Sequence, residues 1–171
     1  MNYANIEPKV YKTAIWLSTY LPEYLALATA ELAPWPSDTD FPSILDVPDE
    51  SYTPPALKKA SVGATIPPAG PFPYLLTVLD NVTVEWAGQN SDMLTLNIKI
   101  VIALQENSER RIGAALMRYM DAITMAIGKN VTLDGLFDEI KLTGMDKDEA
   151  AANKVGFLVA NLVAKYEVTC E

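Results

Sequence analysis

Two stretches of alternating apolar and polar residues dominate this chain. Between Asp92 and Leu104, the side chains of Leu94, Leu96, Ile98, Ile100, Ile102 and Leu104 fall on one face. Thr95, Asn97 and Lys99 fall on the other, which is the period of a strand. Between Lys154 and Cys170, Leu158, Ala160, Leu162, Ala164, Tyr166 and Val168 share a face opposite Asn161, Lys165 and Glu167. At about 3.3 Å per residue the first stretch spans roughly 40 Å, about twice the usual strand. A domain of this size does not need such strands for its own core. Part of each is therefore expected to serve a neighbouring subunit.

The period between them is helical. Ile112, Leu116, Met120, Ile123 and Ile127 form one apolar stripe after a cap at Asn107 or Ser108, and Gly128 and Asn130 end the helix. Arg110, Arg111, Arg118 and Asp121 lie off that stripe. Leu133-Asp-Gly-Leu136 predicts a turn, Phe137–Thr143 a strand, and 144–153 an acidic loop. Upstream, Tyr74–Leu79 and Val82–Trp86 predict two strands joined at Asp80-Asn81, with a polar turn at Gly88–Asp92. At the start, Glu7-Pro8 suits a helix N-terminus, and Val10, Ala14, Leu17, Leu21 and Leu25 recur at helical spacing. Pro22 predicts a break, giving helices at about 8–20 and 22–33. Trp16, Tyr20 and Tyr24 form an aromatic stripe that packs either on the sheet or on a partner.

Residues 34–71 differ in kind. Ten of the twelve prolines fall between 34 and 73, among several acids and scattered apolar side chains that include Trp35, Phe41 and Tyr52. A stretch of this length without periodicity is uncommon inside a compact domain. It reads as an extended arm that packs on a neighbouring subunit or partner. The whole, 1–171, reads as one α/β (α+β) domain. Helices occupy 1–33, the arm 34–71 and a sheet–helix core 72–171, the sheet being mostly antiparallel with its helices on one side.

Composition narrows the chemistry. The formal net charge is −9, and Lys58-Lys59 and Arg110-Arg111 are the only adjacent basic pairs. That argues against specific nucleic-acid binding, which needs clustered cations. There is no histidine, and Cys170 is the single cysteine. The commonest general base, the commonest zinc ligand and any intramolecular disulfide are thereby excluded. Asp146-Lys-Asp-Glu149 is the one dense acid cluster, and it lacks the glycine and the spacing of a calcium loop. The expectation is no enzyme, no metal and no cofactor. No apolar run reaches the length of a membrane span, and the first residues lack the basic start and apolar core of a signal peptide. A product of the cytoplasm is expected.

The order of elements in 72–171 resembles the tail terminator proteins of long-tailed bacteriophages and the related neck, head–tail joining and tail-completion proteins. Three features carry the resemblance. They are the long strand Met93–Leu104 leading into the arginine-bearing helix Ser108–Lys129, Asn130-Val-Thr-Leu-Asp-Gly-Leu-Phe137 directly after it, and the closing strand Val155–Val168. The N-terminal helices with their Leu21-Pro22 break are similar too. The resemblance implies a structural virion protein of the tail or neck, made in the host bacterial cytoplasm. It implies a homo-oligomer, a hexameric ring capping the tail tube and facing the head–tail connector proteins, with the tail sheath as a further partner. No catalytic residue belongs to such proteins. Expected contact residues are Arg110, Arg111 and Arg118, which either form a solvated face or meet acids of an adjacent subunit such as Asp138, Glu139 or the Asp146–Glu149 loop, Asn97 and Asn161 on the sheet face away from the core, and Trp35 and Phe41 in the arm. Two rival readings are a small-ligand domain, with an apolar pocket roofed by helices 8–33, and an enzyme using carboxylates alone.

Overall fold

The computed structural model describes residues 5–31, 52–63, 70–148 and 154–169. Among the described residues two helices and five strands follow in the order α1 (Ile6–Glu31), β1 (Lys59–Val62), β2 (Tyr74–Gly88), β3 (Ser91–Gln105), α2 (Glu109–Lys129), β4 (Glu139–Asp148) and β5 (Val155–Thr169). The strands form one mixed sheet, β1-β2-β3-β5-β4. β1 runs parallel to β2, and every other pair is antiparallel. The fold is α+β, as the alternation predicts. β2, β3 and β5 are each 15 residues long, so the sheet is extended along its strands.

The core lies between one face of the sheet and both helices. Leu94 to Leu104 of β3 and Leu158 to Tyr166 of β5 supply it from alternate positions, and Leu17, Leu21, Ile112, Leu116, Tyr119 and Ile123 close it from above. α2 is capped as its sequence predicts. Ser108 Oγ accepts from the Arg111 amide at 3.3 Å, Glu109 sits at the positive end of the dipole and Lys129 at the negative end. It lies so close to β5 that a Cβ at Gly156 would collide with Ile112 Cγ2.

Three expectations are corrected. α1 is one helix that runs through Pro22. Proline inside a helix costs about 3 kcal/mol. Leu17, Leu21, Leu25 and Ala28 form a single buried stripe spanning the proline, and each fully buried leucine returns about 1.5–3 kcal/mol. Burial wins. The aromatic stripe packs on the core, with Trp16 in the core cluster and Tyr24 against it, and its polar tips bond the 130–136 segment: Tyr24 Oη accepts from Asn130 Nδ2 at 3.0 Å, and Trp16 bonds Asp134.

The second correction concerns Asp80-Asn81, which is a bulge and not a turn. The register jumps from Leu79↔Ile98 to Asn81↔Asn97. Neither residue is glycine, which the tight primed turns favour. The sequence also needs the bulge. Leu75, Thr77 and Leu79 face the helices at odd positions, and beyond it Val82, Val84 and Trp86 take that side at even positions. Third, β4 continues through the expected loop to Asp148. A second shift between Leu142 and Gly144 places Met145 opposite Ala160, on the core side.

Part of the proline-rich segment also differs from expectation. Residues 52–63 pack on their own chain. Arg118 Nη1 donates to the Tyr52 carbonyl at 2.9 Å, Tyr119 Oη donates to the Pro55 carbonyl at 2.6 Å, and Tyr52 Oη donates to Glu106 at 2.7 Å. The strap then joins the sheet as β1. Trp35 and Phe41 lie outside the described residues.

These bonds set a pH prediction. Burial raises the phenol pKa values of Tyr119 and Tyr52 well above the ordinary tyrosine value, with the Glu106 bond adding to the rise at Tyr52. A raised folded-state pKa means stability that is fully present below the unfolded value, about 10. It is lost as pH climbs toward the folded value. Absorbance of phenolate should therefore rise in two phases, exposed tyrosines first, the second coinciding with loss of near-ultraviolet circular dichroism. One phase near pH 10, with the fold intact, would contradict the strap.

Candidate functional site

Among the described residues both helices lie on one side of the sheet, which leaves the other side without a helical layer. Asn97 and Asn161 stand on that face one pair apart, with Asn97↔Val163 beside Lys99↔Asn161. Asn97 Nδ2 donates to Asn81 Oδ1 across the strands. The face is graded along its length. Toward one end it carries Val101, Val159 and Phe157; toward the other come Thr83, Thr95, Lys165 and Glu139. The apolar end was legible in the sequence, since Val101, Phe157, Val159 and Val163 fall between core positions.

The arginines divide. Arg118 is 4 % exposed and spent on the strap, so it neither meets solvent nor is free to reach another subunit, contrary to expectation. Nothing in the helix period reveals this, because the strap that covers it comes from 66 positions earlier. Arg111 lies over the Tyr52 ring, 5.6 Å from its centroid, and Arg110 stands in the first turn of α2. The acids expected to meet them have local partners. Asp138 Oδ2 accepts from the Glu167 amide at 2.8 Å, and Glu139 pairs with Lys141 at 2.7 Å.

A second surface is a groove of about 630 Å³ between α1 and the turn after α2. Lys9, Lys12, Ile15, Trp16 and Tyr20 line one wall, Leu133 to Leu136 the other. Lys9 Nζ donates to the Leu136 carbonyl and sits 4.1 Å from the Tyr166 ring centroid. Burial pulls its pKa below the ordinary lysine range; Asp138 opposes the shift and Lys12 adds to it. Trp16 Nε1 donates to Asp134 Oδ2 at 2.7 Å. Those two bonds hold a strained wall. Leu133, Asp134 and Gly135 all have left-handed φ, at 46°, 57° and 81°. Such a conformation costs a non-glycine residue about 1–2 kcal/mol, and strain of this kind gathers at functional sites. The turn was legible at Asp134-Gly135; the lysines facing it were not singled out.

A third surface is the β2–β3 hairpin. Val84 and Trp86 point to the helix side of the sheet, opposite Leu94 and Asp92, and yet are 45 % and 77 % exposed. The helical layer stops short of them. Glu85, between the two, is exposed on the other face.

Among the described residues no group of three His, Cys, Asp or Glu side chains is placed to hold a metal ion. No described helix is long and apolar enough to cross a membrane. No protein-family model matches the chain, and no curated protein matches it.

Proposed function

We propose that this protein is a structural virion component, a tail terminator. Six copies form a ring that stops growth of the tail tube and presents a surface to the head connector. One observation carries the reading: an extended sheet, three of its strands 15 residues long, whose far face has no helix packed on it among the described residues. A subunit that must match a stacked ring of tube subunits needs such a face. The exposed hairpin and the groove add surfaces beyond those a monomer needs.

The direct test adds purified protein to polymerising tail-tube protein and follows tube length by electron microscopy. Short capped tubes support the reading; unchanged growth opposes it. Asn161→Lys should leave circular dichroism unchanged and abolish capping, because Asn161 lies on the far face and outside the core. A neighbouring role in head completion would give no capping, with binding to the connector instead. The groove has the volume of a small-ligand site, which keeps a binding domain as the second reading. The groove lies beside α1, whose Val10, Leu17, Leu21 and Leu25 belong to the core cluster.

A further inference from the structure

We propose that the groove between α1 and the 133–136 turn binds a small flat anion, an aryl carboxylate, with its head at Lys12 and its ring along Ile15 and Tyr20. The charges are the first support. Lys9 and Lys12 stand three residues apart on α1, and both line the groove. Residues at that spacing are neighbours on a helix, so two cations there repel. Burial disfavours charge on Lys9, Asp138 opposes that, and Lys12 adds to it. An anion beside both lysines relieves the repulsion. The one acid in the lining, Asp134, accepts from the Trp16 indole at 2.7 Å. Lys9 gives one of its three protons to the Leu136 carbonyl. The Lys12 ammonium is exposed and has no partner among the described residues. The result is a locally basic site on a chain of net charge −9.

The shape sets the body of the ligand. Ile15, Trp16 and Tyr20 follow Lys12 by three, four and eight positions and line the same wall. At about 1.5 Å per residue they lie roughly 5–12 Å along the axis from it. A carboxylate at Lys12 therefore sets a fused ring over Ile15 and Tyr20. Ile15 is 62 % exposed, and the Tyr20 ring leans on Trp16 with centroids 4.9 Å apart. On the opposite wall, a Cβ added to Gly135 would meet nothing within 4 Å, so bare peptide borders the space and admits a flat ring. The Trp16–Asp134 bond holds that wall in place. The volume falls in the range of small-molecule sites. This inference goes beyond the terminator reading and does not rest on it.

The test is nuclear magnetic resonance titration of the full chain with naphthoate, its uncharged twin naphthamide, and the cation naphthylmethylammonium. Naphthoate should saturate the protein and bind about fivefold more tightly than naphthamide at low salt, the worth of an exposed ion pair. Lys12→Gln should erase that preference and leave naphthamide binding unchanged. Tyr20→Ala should weaken both ligands by about fivefold, the worth of an aromatic contact. Both positions are exposed, so circular dichroism should not change. Lys141→Gln, at an exposed position of β4, is the control and should keep the preference. No saturable binding, equal affinity for naphthoate and naphthamide, tighter binding of the cation, or a preference that survives Lys12→Gln would each overturn the proposal. None of those results decides the terminator reading, which rests on tube capping.

Discussion

Gly156→Val is expected to lower the melting temperature by about 2–12 °C. Gly156 is buried in β5 under α2, where an added Cβ meets Ile112 Cγ2 head-on and Leu116 Cδ1 at 3.1 Å. Ile112 is β-branched and fully buried, so its side chain has little freedom to turn away. Overpacking of this kind costs about 1–3 kcal/mol or more, and each kcal/mol is worth about 2–4 °C in a domain of this size. The cause can be isolated by a cycle. Ile112→Ala alone opens a cavity and costs about 2–5 kcal/mol. Combined with Gly156→Ala it should cost clearly less than the sum of the two, because the new methyl occupies the vacated space. Strict additivity in thermal unfolding would mean that α2 does not lie against Gly156.

Arg118→Met is expected to cost about 2–3 kcal/mol and to free the strap. The guanidinium is buried and donates to the Tyr52 carbonyl. A hydrogen bond from a charged group contributes about 1.5–3 kcal/mol, and its loss leaves a carbonyl without its donor. Tyr52 also holds Glu106, so both bonds loosen together. The readout is cleavage after Lys58 and Lys59 by a lysine-specific protease. Cleavage should accelerate in Arg118→Met and stay slow in the control Thr124→Met, at an exposed position of the same helix. Equal rates in wild type and Arg118→Met would show that the strap is not held from α2.

The comparison of sequence with fold follows from where each piece of information resides. Alternation over β3 and β5 is local, and the structure places those strands within one or two residues of expectation. The α2 stripe and its Ser108 cap are local too. Failures occur where distant residues decide. Pro22 reads as a break unless Leu17, Leu21 and Leu25 are known to share a buried stripe with Ala28. Asp80-Asn81 reads as a turn unless β3 is known to pair through it. The slip in apolar parity there, from Leu79 to Val82, was the available signal. Arg118 reads as surface because its partner, Tyr52, belongs to a segment with no periodicity.

The candidate site was half legible. Asn97 and Asn161 lie on the far face as alternation requires. Lys12 and the strained turn at Leu133–Gly135 come to line one groove only when the chain is folded, because α1 and the turn meet across more than a hundred residues.

The most direct measurement of the central claim is electron microscopy of particles assembled without this protein, by a phage that carries its gene in disrupted form. If the protein caps the tube, complete heads should accompany tails of uncontrolled length, and supplying the protein in trans should restore one length. Tails of normal length joined to heads would contradict the terminator assignment. Normal-length tails left unjoined would contradict it as well and place the protein among head-completion components.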